Sequence, residues 1–192
     1  LIVFIWGFTA VLGALISLAA VPLVWYRMSM ASVFILLFIW IKRIPFKLPL
    51  KILIGFIFAG LIITLHWLTF YAAIKLSNAS VAVSCMALGS IFAAMIEPAI
   101  TGKAWNRNEL FIGILAVPGV VLLVGGVPLS MHTGIIVGII SAFLTSLFAV
   151  LNKRYVHDAE PESVTFIEMS AGGLFLAVAS YFYFGAEQTF IL

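Results

Sequence analysis

The chain has 192 residues, 65% of them hydrophobic and 9% charged, with a mean hydropathy of +1.27 and a formal net charge of +3. Soluble domains run near half apolar and a quarter charged, so this composition excludes one and describes a polytopic membrane protein. The basic residues are spread over short loops, which reads as a topology signal and not as a nucleic-acid patch, and one cysteine, Cys85, excludes both a disulfide framework and a cysteine metal site.

About 20 helical residues cross a roughly 30 Å hydrocarbon core. Apolar runs of that order lie near 1–17, 22–41, 52–75, 79–101, 110–127, 133–152 and 163–184. The runs are continuously apolar, whereas the strands of a spanning barrel alternate, so the expected fold is all-α with seven transmembrane helices. The first run starts at Leu1 with no basic stretch before it and reads as a span cut short; "SLAAVP" resembles a signal-peptide cleavage site, but six further spans favour a retained helix. Span two carries Arg27, and span three carries His66 inside "TLHWLTFYAAIKLSNASVAV". At the start of span four, Asn78-Ala79-Ser80 matches a glycosylation acceptor, yet Ser77 or Asn78 fits better as a helix cap. Pro98 and Pro118 predict kinks in spans four and five. The pair Gly134 and Gly138 on span six, like Gly55, Ala59 and Gly60 on span three, predicts close helix approach. The tail "FGAEQTFIL" reads as a loop or the start of an eighth helix.

Orientation follows from the basic residues. Lys42, Arg43, Lys47, Lys51, Lys103, Arg107, Lys153 and Arg154 fall on one side, and only Lys75 lies in the opposite loops. Eight against one places the first group, and the start of span one, in the cytoplasm.

Spans two and seven share a pattern. Setting Arg27 over Glu168 aligns Met28 with Met169 and Ser29 with Ser170, and each helix begins just after a proline, Pro22 or Pro161. The two spans lie five helices apart and cross in opposite directions, the mark of an inverted repeat that presents one site to each side in turn.

Several stretches together resemble the drug/metabolite transporter superfamily in its EamA-type branch: "YRMSMA" opening span two, "TFYAAIKLSNASVAV" joining spans three and four, "ELFIGILAVPGVVLLV" for span five and "NKRYVHDAEPESVTFIEMSAGGLFL" at the second half. The resemblance covers essentially the whole chain. It implies two inverted five-helix repeats around a central cavity, with both termini cytoplasmic, and export of amino acids, metabolites or drug-like compounds. Residues 1–127 correspond to the first repeat and 128–192 to the start of the second, two helices long and incomplete. Two departures stand out: "TGKAWN" replaces the Gly-Glu pair that many members have before span five, and the last three or so helices of the second repeat are absent, so seven helices do not close the cavity.

Ionisable groups inside a bilayer cost several kcal/mol and mark partners, water or function. His66, 15 residues after Lys51 and nine before Lys75, lies about 13 Å below the outer boundary, near the middle. There it suits substrate hydrogen bonding or proton coupling; the alternative is a neutral ring bonded to a neighbouring helix. Trp6, Trp67, Tyr71, Ser84 and Thr145 complete the candidate solute-binding set, whereas Trp25, Trp40 and Trp105 belong to the interfacial belt. Ser80 with Ser84 and Ser141 with Thr145 form hydroxyl pairs one turn apart, which serve equally as interhelical glue. Arg27, Glu97 and Glu168 are the candidate gating or coupling residues. Arg27 lies near the outer end of its span and Glu168 near the inner end of its own, about 12 Å apart in depth, which assigns them to separate gates; the alternative is bonding to backbone or hydroxyls, or snorkelling. Glu97 precedes Pro98, where the carbonyl of Ala94 loses its donor; pairing with Lys103 or Arg107 is the plainer role.

These observations predict a multi-pass secondary transporter of the plasma (inner) membrane, N-terminus cytoplasmic, with no cofactor and no metal. Its expected partners are a small-molecule solute and the lipid bilayer, with a homodimer as a further option, and no nucleic acid. The rival class is a non-transport membrane protein: an intramembrane enzyme, a receptor or a structural subunit. No GxxxxGK[ST] loop, no HExxH and no lysine in span seven occur, which disfavours ATP drive, a zinc enzyme and a retinal receptor.

Overall fold

The computed structural model describes residues 2–46, 48–155 and 159–184, and side chains from residue 8 to residue 182. The helices are α1 (Ile2–Leu15), α2 (Ala20–Lys42), α3 (Leu50–Leu76), α4 (Ala79–Met86), α5 (Gly89–Thr101), α6 (Arg107–Ile114), α7 (Ala116–Gly126), α8 (His132–Tyr155) and α9 (Pro161–Phe184). A 3₁₀ turn, Leu129–Met131, leads into α8, and no strand occurs among the described residues. Among the described residues, six stretches are long and apolar enough to cross a membrane: Ala20–Lys42, Leu50–Leu76, Ala79–Thr101, Arg107–Gly126, Leu129–Tyr155 and Pro161–Phe182. They coincide with the second to seventh apolar runs of the sequence. The first run appears as α1, whose 14 residues fall short of a full crossing.

Local chemistry explains the helix ends. Asn78 caps α4, its side-chain oxygen accepting the Val81 N–H at 2.9 Å, as a cap requires. Asn106 caps α6 in the same way, accepting from Asn108 N–H at 3.1 Å and donating its amide to Glu109 at 2.9 Å. Gly102 closes α5 at φ 72°, where a side chain would be strained. Arg43 closes α2 at φ 54°, with Ile44 N–H donating to the Ile39 carbonyl at 3.1 Å and Arg43 N–H to the Trp40 carbonyl at 3.3 Å. This is the Schellman arrangement, built here without the usual glycine.

The two proline expectations resolve differently. In span five the helix breaks at Leu115, directly after Ile114, whose carbonyl is the one Pro118 has no N–H to serve. In span four Pro98 lies inside α5 without ending it. The break comes earlier, where Ala87 and Leu88 donate to the carbonyls of Ser84 and Cys85, three residues back, at 3.2 and 3.1 Å. That tightened turn divides α4 from α5.

The chain forms two compact units that are discontinuous in sequence, Leu1–Ala20 with Leu65–Val150 and Val21–Thr64 with Leu151–Leu192. In the first, glycines set the helix contacts. A Cβ on Gly134 would come within 2.6 Å of Ser77 and one on Gly113 within 2.6 Å of the Ile91 backbone, and Gly138 lies against Cys85. Two apolar clusters complete it, one of Val81, Cys85 and Ile135, the other of Leu88, Val120 and Ala142. In the second, a Cβ on Gly60 would meet the Glu168 backbone at 2.6 Å, and one on Gly172 would overlap the Thr64 and Met28 side chains. Gly60 and Thr64 on α3 thus pack one turn apart against Glu168 and Gly172 on α9, the close approach that small residues permit.

Candidate functional site

Each unit buries one polar pair between helices. In the first, α3 and α8 run antiparallel, and His66 sits ten residues before the end of α3 while Ser141 sits nine after the start of α8. Equal depth lets them meet. His66 Nδ1 lies 2.9 Å from both the carbonyl and the hydroxyl oxygen of Ser141, and the Ser141 hydroxyl donates to the His66 carbonyl at 3.0 Å. The His66 ring stacks on Phe70 with centroids 5.9 Å apart, and the residue is 9% exposed. With the hydrogen assigned to Nδ1, every polar atom of this contact is satisfied.

The neighbouring candidates divide around it. Tyr71 is buried against Gly13 of α1, close enough that a Cβ on Gly13 would overlap the ring, and it meets Phe70 edge-on at 5.6 Å. Trp67 and Thr145 are half-buried and Ser84 is exposed. Trp6 lies in α1, but its side chain is outside the described residues. Of the α8 pair Ser141 and Thr145, Ser141 is the one that reaches His66; Ser146, outside that pair, donates to the Gly89 carbonyl at 2.9 Å, fastening α8 to the first residue of α5 after the break. Lys75 donates to the Ile16 carbonyl just beyond α1. Glu97 is half-buried and pairs with Lys103 at 3.1 Å, the plainer of the two roles open to it.

In the second unit the buried pair is Glu168 with Asn152. Glu168 is 3% exposed, and the Asn152 side chain hydrogen-bonds its carboxyl. One acceptor on each partner, Glu168 Oε1 and Asn152 Oδ1, is buried with no hydrogen-bond partner among the described residues. One turn nearer the α8–α9 connection, Phe56, Val164 and Ile167 form an apolar cluster with Tyr155, Leu48 and Leu53. On the other side lies the tight contact of Gly60, Thr64, Gly172 and Met28.

Helix α2 packs on α9 in the same unit. Ser170 donates to Ser32 at 3.3 Å, and a Cβ on Gly173 would lie 3.6 Å from Ser29. That antiparallel register sets Arg27 level with residue 175, about 10 Å along the axis from Glu168 by helical rise. Arg27 is half-buried.

The model of the EamA-like transporter family matches residues 1–125. The chain belongs to the EamA-like transporter family. This family of membrane transporters is part of the drug/metabolite transporter superfamily. No curated protein and no solved structure matches the chain. In this EamA-like chain, Asn152 is the polar residue that nothing in the sequence singles out. It lies three residues from the end of α8 and Glu168 seven from the start of α9, a depth difference of about 6 Å that two side chains span. Counting depth from the facing helix ends, as for His66 and Ser141, is the signal that would have found it.

Proposed function

We propose that this chain is a secondary transporter, an exporter of small organic solutes such as amino acids, metabolites or drug-like compounds, working by alternating access. The family match over residues 1–125 carries this reading. The repeated pattern of spans two and seven supports it, because an inverted repeat is how such transporters expose one site to either side. In this reading residues 1–127 are the first repeat and 128–192 the start of the second, and the eight-to-one basic split orients the N-terminus to the cytoplasm of a plasma (inner) membrane.

The solute-binding set is His66, Trp6, Trp67, Tyr71, Ser84 and Thr145. His66 gives it a polar centre, and a solute engages the imidazole by replacing the bond to Ser141. Arg27 serves the outer gate and Glu168 the inner, with Glu97 a further coupling residue. The axial separation of Arg27 and Glu168 favours two gates over one ion pair, and a double-mutant cycle with strong coupling between them would sink that assignment.

The test is uptake and efflux of a mixed metabolite panel in sealed vesicles at two pH values, comparing the full-length gene product with His66→Ala. Solutes that move with the wild type and lose transport or its pH dependence in the variant identify the substrate class and place His66 in the pathway. An unchanged variant removes His66 from the site, and no movement of any solute by the wild type overturns the transporter reading.

A further inference from the structure

The pair Asn152 and Glu168 has more acceptors than donors. The amide and the carboxyl share one hydrogen bond, and each keeps a buried oxygen that nothing serves among the described residues. A buried acceptor left without a donor is costly, so such a site asks for an occupant. The carboxylic O–H is the one donor that can be added without adding a heavy atom. Hard metal cations take about six or more oxygen ligands, and the pair offers two.

The surroundings suit a site that is loaded from one side and then sealed. The apolar cluster of Phe56, Val164, Ile167 and Tyr155 stands between the pair and the connection of α8 to α9. The backbone contact of Gly60 with Glu168 closes the other side. Within the second unit, the titratable or charged groups on the helices packed against Glu168 are Tyr26, Arg27 and Lys42 on α2, Lys51 on α3, Lys153, Arg154 and Tyr155 on α8, and Glu162, Tyr181 and Tyr183 on its own helix. The Tyr155 ring is engaged with Gly55 and Phe56.

Resting on the transporter reading above, we propose that Asn152 and Glu168 form an occluded proton site that couples solute movement to a proton. Glu168 carries the proton as a neutral carboxylic acid while the site is sealed, and Asn152 orients the carboxyl by its hydrogen bond. When the Phe56 cluster parts, the proton leaves Glu168 to water and the carboxylate is left hydrated. Asn152 is a positioning residue.

Two measurements on the full-length protein in lipid vesicles test this. The first is infrared spectroscopy of the wild type, Glu168→Gln and Asn152→Leu at neutral pH. A protonated carboxylic C=O band present in the wild type, absent in Glu168→Gln and moved in frequency in Asn152→Leu is the expected result. Absence of the band from the wild type, or its persistence in Glu168→Gln, overturns the proposal. Glutamine keeps the volume and supplies an N–H where the O–H is placed, so this variant is expected to fold; if it does not, the frequency shift in Asn152→Leu decides. The second compares solute exchange without a gradient against accumulation driven by a pH gradient. Glu168→Gln is expected to lose the driven accumulation by a larger factor than it loses exchange, and equal losses of the two overturn the coupling. Accumulation that persists in the variant, or that follows sodium and not protons in the wild type, overturns the coupling. The infrared arm needs no transport, so failure of the transporter reading and failure of the proton site give different results.

Discussion

His66 with Ser141 and Glu168 with Asn152 are the same kind of device, a buried polar pair tying two helices, but they close differently. In the first, the Ser141 hydroxyl and carbonyl exchange hydrogen bonds with Nδ1 and the carbonyl of His66 at 2.9 to 3.0 Å, and none of these four atoms is left over. The second ends with two acceptors over. A satisfied pair inside a bilayer is a clamp, which holds until something replaces its partners. An unsatisfied one changes its energy with each proton or water that arrives, and that is the property a switch needs. The contrast separates two conspicuous ionisable groups of the chain by how their hydrogen bonds close, although depth and residue type alone make them look alike.

The comparison breaks first at the packing that holds Glu168 in place. Gly60→Leu drives a side chain into the Glu168 backbone, where the nearest atoms lie 2.6 and 2.8 Å from the new Cβ and have no rotamer to adopt. Overpacking of this kind costs about 1–3 kcal/mol or more. The thermal midpoint in nanodiscs is expected to fall by more than for any substitution at His66, Ser141, Thr145, Glu97 or Lys103. Gly119→Leu, where a Cβ meets nothing within 4 Å, is the control and is expected to leave the midpoint unchanged.

Much of this was open to a reader of the sequence, for physical reasons that can be named. A bilayer imposes length and hydropathy on every span, so the second to seventh runs mark their helices to within a few residues. The small residues Gly60, Gly134 and Gly138 pointed to close approaches because nothing larger fits there. Breaks were harder. Pro118 broke span five by chemistry that the sequence displays, but the turn at Ala87 and Leu88 has no proline, and Gly89, to which Ser146 is fastened, only hints at it. Polar partners were harder still, since hydroxyl residues one turn apart at similar depth look identical in sequence. Ser141 and not Thr145 reaches His66 because it lies level with it, and the register in which α3 and α8 pack is something a run of uniformly apolar residues does not encode.

That register makes the second prediction. Ser141→Ala removes the hydroxyl that serves the His66 carbonyl and one of two partners of Nδ1, while the Ser141 carbonyl remains to accept. Interhelical hydrogen bonds in membrane proteins average about 0.6 kcal/mol and reach about 1.7. A loss in that range is expected for Ser141→Ala by chemical or thermal unfolding. Thr145→Ala, half-buried one turn away, is expected to lose less; an equal or larger loss at Thr145 would mean that the clamp is not specific to Ser141.

The smallest effect belongs to the ion pair of Glu97 with Lys103, and it separates two meanings of a charge near a membrane surface. Lys103 is 60% exposed, so its bond to Glu97 competes with water and salt, and such pairs contribute about 0–1 kcal/mol. Lys103→Ala is therefore expected to leave the thermal midpoint and solute flux close to wild type. Glu97→Gln removes the charge without removing the volume. If Glu97 is only the partner of Lys103, the two variants behave alike; if it takes part in coupling, Glu97→Gln changes the pH dependence of flux and Lys103→Ala does not. The distinction needs both variants, because loss of a pair and loss of a protonatable group are indistinguishable in the Glu97 variant taken by itself.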